Sequence, residues 1–370
     1  MRHRQRGLSL VELLIAMGLS LGVIYAAVSL FMANRGTAAT TQGIAALSDS
    51  GRVGLTFIGG SVRSGGYMAC NGTNSTKGVI YTNGTTRQIN IIAPGASPVL
   101  ANYTEAFGGY EANGTGPAGA TVITDTPAGD ANVNDWANVG GLDALLAGQV
   151  VKGTDVLAVR ESLTGSDPVY TSAQYTTGAG QVLVPVYSVG NLTAGEYAVI
   201  SNCTVSTAFQ ISAVDAVGKT IGTNGPLDLF AGDLRWSYEF PSSITPVDMV
   251  IYFIGVGRDK DSSLFAYHES TGLFQELVPD VENMQVLYGV AAAAPNTVTQ
   301  YVTADQVPDF NDVVSVKVAL LVASPPGASA VATPAAAPTY MLLDTTVTAP
   351  IDTRLRKVFD TTIAVRSAVL

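Results

Sequence analysis

At 370 residues, 47% hydrophobic and only 13% charged, the chain has enough apolar material for a sizeable core and must cover its surface with Ser, Thr, Asn and Gly; an ordinary soluble domain carries roughly 25% charged residues. A formal charge of −10 excludes a general nucleic-acid binder, which needs a basic face. Thirty-nine glycines, with abundant Thr and Val, point to turns and strands rather than to long soluble helices.

The first element is set by "GLSLVELLIAMGLSLGV", residues 7–23, which follows Arg2, Arg4 and Arg6. No charged residue occurs from Leu13 to Ala33, enough for a helix of about 30 Å, the thickness of a bilayer core. The arginines place the leading end on the cytoplasmic side and the rest of the chain outside the cytoplasm. A secretory signal peptide is the competing reading. Against it, the apolar run is long, no clear A-x-A site ends it, and Glu12 stands at its front. A carboxylate in a membrane helix costs roughly 2.5–3.5 kcal/mol at the centre and less near the end. Cleavage after Gly7 would rationalise Glu12: the new amine of Leu8 would lie at i−4 on the same face, and an acid in the first turn suits the helix dipole. The pairing can equally run between neighbouring molecules, which would make Glu12 an assembly contact.

Gly18 to Gly22 also spell G-x-S-x-G. A nucleophile elbow needs a strand, a sharp turn and a helix, whereas Ser20 stands inside an uninterrupted apolar run. The same Gly18 and Gly22 form G-x-x-x-G, a helix-packing motif in apolar media. Beyond the leader the only histidine is His268, read as a surface side chain on a strand.

The stretch from Gly7 to Leu13, with the apolar run behind it, resembles the class III leader of type IV pilins and type II secretion pseudopilins. Leu8 stands where phenylalanine is commoner. The resemblance implies a prepilin peptidase that cuts between Gly7 and Leu8 and methylates the amine of Leu8. It also implies that Glu12 is required for assembly.

After the span, Ile44, Leu47, Gly51, Leu55, Ile58 and Val62 recur at spacings of three or four, and no proline interrupts residues 8–66. The spacing predicts that the helix continues, although glycines weaken it by about 1 kcal/mol each relative to Ala. Strand patterns follow. Asn83-Gly84 between apolar runs predicts a hairpin in "GVIYTNGTTRQINII". "TDVLAVRES" and "QVLVPVYSV" alternate. "VDMVIYFIGVGRDKDSSLFAYHE" predicts a long hairpin turning at Gly257 to Ser262, and "DVVSVKVALLVAS" and "KVFDTTIAVRS" predict two more strands. In the long hairpin's turn, Asp259 and Asp261 are weak metal candidates: a calcium loop's glycine and distal glutamate are missing, which favours a solvated turn. "SPPGASAVATPAAAP" and "AAAAPN" read as loops.

Cys70 and Cys203 are the two cysteines. They are either buried thiols or, in an exported chain, a disulfide. "IGGSVRSGGYMAC", "VISNCTVSTAFQI", "VENMQVLYGV" and "RLRKVFDTTIAVRS" resemble segments of the PilW family of minor pilins, whose first and second cysteines match Cys70 and Cys203. Over residues 95–150 and 291–311 the sequence shows no segment that resembles it.

The expected fold is α+β, a long N-terminal helix packed on a large β-rich pilin-like head. The expected divisions are a leader (1–7), a transmembrane half-helix (8–33), an amphipathic periplasmic half-helix (34–66) and the head (67–370). The resemblance implies a non-enzymatic, cofactor-free minor pilin that helps prime type IV pilus assembly at or near the tip. Its partners would be other minor pilins, the major pilin, the prepilin peptidase, the inner-membrane assembly platform and a tip adhesin. It would sit in the inner membrane and then at the pilus tip or cell surface, with adhesion and twitching motility as the processes served. A J-type type II secretion pseudopilin shares the leader and architecture. A membrane-anchored periplasmic enzyme or receptor would need a convergent polar site, which the sequence does not show.

Overall fold

The computed structural model describes residues 10–68, 71–72, 88–92, 105–137, 141–163, 167–173, 182–202, 205–223, 241–291, 297–327 and 333–365. One helix, α1 (Leu10–Ser64), carries the predicted span and its continuation without a break. Its 55 residues extend about 80 Å at the usual rise of about 1.5 Å per residue. Twenty-one strands follow among the described residues: β1 (Tyr67–Met68), β2 (Asn71–Gly72), β3 (Gln88–Ile92), β4 (Phe107–Ala112), β5 (Ala120–Val122), β6 (Trp136–Ala137), β7 (Val156–Ser162), β8 (Val169–Tyr170), β9 (Leu183–Pro185), β10 (Tyr197–Ser201), β11 (Val205–Asp215), β12 (Thr220–Thr223), β13 (Ser243–Val256), β14 (Ser262–His268), β15 (Leu273–Pro279), β16 (Val281–Ala291), β17 (Val298–Val302), β18 (Val313–Ala323), β19 (Thr339–Leu342), β20 (Thr345–Thr348) and β21 (Arg356–Ala364). The chain is thus one long apolar N-terminal helix and a large β-rich domain, an α+β arrangement.

The 14-residue strand β13 organises the head. Its second half pairs with β14 on one edge and with β7 on the other. Its first half pairs with β10 and β8. From β10 the ladder runs through β11 and β12 to β9. Thr171, just past β8, bridges Val186, just past β9, so these strands close on themselves. Val184, Ile200, Phe209, Ile211, Ile221 and Ile244 fill the ring. Such closure removes free edges at that end of the head.

A second sheet runs β17-β16-β18-β21. Alternation along β18 sends Val316, Val318, Leu320 and Val322 into the main core and Ala319 and Leu321 toward a small sheet, β19-β20-β5. The main core lies where α1, this second sheet and one face of β7, β13 and β14 meet. The other face of β13 carries Val247, Met249, Ile251 and Phe253 into a separate core with Trp136.

The long hairpin, "TDVLAVRES", "DVVSVKVALLVAS" and "KVFDTTIAVRS" form strands as their patterns predict. "QVLVPVYSV" supplies β9, with Val182, Val184 and Val186 buried. Two details differ. Gln88–Ile92 pairs in parallel with the first half of β11, a partner distant in sequence; the Asn83-Gly84 turn lies outside the described residues. On α1 the buried stripe is Gly43, Leu47, Gly51, Gly54, Ile58, Ser61 and Val62, whereas Ile44 is 52% exposed and Leu55 only partly covered. The stripe is turned by about one residue because glycines, not bulky side chains, sit nearest the sheets.

Candidate functional site: the apolar half of the helix and the dock of its other half

The two halves of α1 meet different surroundings. Residues 10–34 are all exposed, among them Leu13, Ile15, Leu19, Leu21, Ile24 and Phe31. None of this apolar stretch is buried. A core helix of that composition would be covered by protein, so this half is a candidate membrane anchor. Glu12 lies in its first turn and is exposed. At Gly18 and Gly22 a β-carbon would meet nothing within 4 Å, which leaves both open to a neighbouring helix. The hydroxyl of Ser20 donates to the carbonyl of Met17 at 2.9 Å, an ordinary helical contact and no elbow.

The second half docks through its glycines. A β-carbon on Gly51 would overlap the ring of Phe359 on β21, and one on Gly54 would come 2.9 Å from Cδ1 of Leu320 on β18. At the helix end, a β-carbon on Gly65 would lie 2.7 Å from the ring of Phe107. Small residues let a backbone approach a sheet as closely as they let helices approach each other. Polar bonds then fix the end of the helix. The hydroxyls of Ser61 and Tyr252 lie 2.6 Å apart and buried. Ser64 donates to Oε2 of Glu161 at 2.7 Å, and the amide of Gly66 donates to the carbonyl of Arg160 at 2.8 Å. Burial raises the Glu161 carboxyl above its ordinary value, opposed by the serine hydroxyls. Beside it, Nδ1 of His268 lies 2.9 Å from Oδ2 of the buried Asp248, a bond that raises the imidazole above its ordinary value. His268 is therefore bonded, not a bare surface side chain.

Two further polar clusters pin the head. Arg356, with 1% of its side chain exposed, forks onto Glu282 at 2.6 and 3.0 Å and onto Asp352 at 2.7 and 2.6 Å. Arg354 bonds Asp280 at 2.5 Å and lies 3.5 Å from Asp261. The Asp261 carboxylate thus faces a guanidinium. No group of three or more His, Cys, Asp or Glu side chains suited to a metal occurs among the described residues. Deeper inside, Asp155 accepts the amides of Ala112 (3.1 Å) and Val286 (2.8 Å), joining β4 to β16. Glu111 lies beside it, its Oε1 accepting from the Thr115 hydroxyl and its other oxygen buried. Burial, then the Asp155 charge, push Glu111 up to about 9. Asp155 is also raised by burial, against its two backbone bonds.

Residues 251–367 match the family model Type IV Pilus-assembly protein W, a span that takes in 291–311, where the sequence alone shows no resembling segment. The match supports a pilus-assembly family for this region. It contains Phe359, Leu320 and Tyr252, on which the helix rests, and the Arg354 and Arg356 cluster; Phe107, Arg160 and Glu161, which meet the helix end, lie outside it. Most of the closed ring of strands, Trp136 itself and α1 fall outside it, whereas Ile251 and Phe253 of the Trp136 core fall within it. No curated protein matches the chain.

Gly7, Leu8, Cys70 and Cys203 lie outside the described residues. What sequence reading misses is the docking role of Gly54 and the pairing of Glu111 with Asp155. The glycines do recur on the helical spacing, a signal hidden by ranking them as helix breakers.

Proposed function

We propose that this chain is a minor pilin of PilW type, anchored in the inner membrane, with a pilin-like head in the periplasm. In this reading the leader is removed between Gly7 and Leu8 and the amine of Leu8 is methylated by prepilin peptidase. The protein is non-enzymatic. It joins other minor pilins and the major pilin on the inner-membrane platform, helps prime the pilus, and remains at or near the tip, where it helps present an adhesin. Cys70 and Cys203 form a disulfide that ties the end of the helix to the head.

The observation that carries the reading is the continuity of α1. One unbroken helix leaves its apolar half uncovered and lays its other half partly on the region that matches the pilus-assembly model, against Phe359 and Leu320. An anchor held rigidly to a head allows the subunit to pass from a bilayer into a helical assembly without refolding. In such an assembly Glu12 would meet the amine of an adjacent subunit, where an orphan charge is costly.

The test is Glu12→Val. An acid lost from an apolar helix does not hinder insertion, and leader removal reads Gly7. The variant should therefore be inserted and cut normally, yet fail to co-purify with minor-pilin partners and leave fewer surface pili. Wild-type levels of both would refute the assembly role.

A further inference from the structure

We propose that the open edge of β15 binds an extended segment of a partner polypeptide, about five residues long, as an added strand, and that this segment carries cationic side chains. The idea is independent of the pilus reading, and the edge concerned lies beside the helix dock, since α1 also touches Val278 of β15.

Among the described residues β15 pairs with β14 alone. On an antiparallel edge, alternate residues turn their N–H and C=O groups away from the existing partner, and a second extended chain satisfies them. Leu273 is 64% and Phe274 36% exposed, and Gln275 beside them is exposed. A groove of about 850 Å³ follows this edge from the turn at Arg258 and Asp259 to His268 and Ser270. Edges of sheets are normally blunted by lysine, proline or charge. The edge strand β21 is: it carries Arg356, Lys357 and Asp360. β15 carries Glu276 as its one charge and reaches proline only at its last residue, Pro279; one irregularity interrupts its pairing with β14, at Leu277.

The lining of the groove says which segment fits. Asp248, Asp259 and Glu276 outnumber Arg258 and His268. Asp248 is closed off by His268 and by the amide of Ser270. Glu276 accepts from the Ser263 hydroxyl and the Arg258 amide, while Asp259 is exposed at the groove's end. Leu273 and Leu277 supply apolar contacts between these acids. An extended chain places side chains alternately on two sides, so a partner alternating apolar and basic residues meets both features.

The test uses the full chain in detergent micelles and an acetylated hexapeptide alternating valine and lysine. Binding is read by fluorescence anisotropy and by hydrogen exchange across Leu273–Pro279. The peptide should bind with a Kd on the order of 100 µM, as a short main-chain contact would, and slow exchange on β15. Two further peptides are N-methylated, one at every valine and one at every lysine. Only one set of amides can face the edge, so one of the two should lose at least tenfold in affinity and the other little. A valine–glutamate peptide should bind more weakly than the parent. The proposal is overturned if the parent does not bind or both methylated peptides bind as it does. Protection away from β15 would also overturn it. So would β15 exchange that slows with protein concentration in the absence of peptide, because a second copy would then occupy the edge.

Discussion

The ring of Phe359 on β21 occupies the space that a β-carbon on Gly51 of α1 would need. Gly60, nine residues on, faces open space, with nothing within 4 Å of its would-be β-carbon. The same substitution should therefore act with opposite signs. Alanine returns about 1 kcal/mol of helix propensity at either site. At Gly51 it also overpacks the dock, at a cost of about 1–3 kcal/mol. Gly51→Ala should lower the stability of the head by about 1 kcal/mol net, and Gly60→Ala should raise it by up to about 1. Chemical denaturation of the two variants decides the matter; equal stabilisation by both would show that the helix does not rest on Phe359.

Glu111 and Asp155 predict how stability follows pH. In the unfolded chain both carboxyls ionise near their ordinary values of 4.5 and 3.8. In the fold Glu111 holds its proton up to about 9, and Asp155 is raised as well. Between these limits the native state binds more protons than the unfolded state, so stability falls as pH rises. It is greatest at and below about pH 4, as far as this pair is concerned, and the loss is complete above about pH 9. Glu111→Gln removes one titrating group and should flatten the alkaline part of the curve. Denaturation midpoints at pH 6, 8 and 9.5 test this, and an unchanged slope in the variant would rule out the pair as the source.

These clusters also show where sequence reading stops. Local period sufficed for β7, β13, β14, β18 and β21, because each lies against a core that demands alternation. It also sufficed for the exposed apolar half of α1, whose uncharged run is legible from composition alone. It did not show that β3 pairs with β11, or that β8 and β9 close a ring with β13, since those pairings join segments far apart in the chain. Nothing in the sequence singles out Glu111 or Asp155; only the packing of β4 against β7 and β16 makes them a buried pair. Of the expected site residues, Glu12, Gly18 and Gly22 fall on the exposed face of the apolar half-helix, and Asp261 turns to Arg354.

His268 offers a spectroscopic check on the junction between helix and head. Its bond to Asp248 favours the charged imidazole, which should titrate above its ordinary value of 6.5. A raised imidazole stabilises the fold fully below the unfolded value and loses that contribution as pH rises through the folded one. Asp248→Asn should bring the His268 titration down, followed by NMR, with only His3 as a second histidine signal. A titration unmoved by the substitution would mean that the bond does not hold in solution.

The central claim is that α1 is a pilin-type anchor rather than a secretory signal, and the N-terminus of the mature protein tests it most directly. Intact-mass and N-terminal peptide analysis of membrane-derived protein, made in cells that contain prepilin peptidase, should find a chain that begins at Leu8 with a methylated amine. Gly7→Val should leave the leader attached. A mature chain beginning anywhere after Ala33 would contradict the account, because the helix that joins membrane to head would then have been cut away.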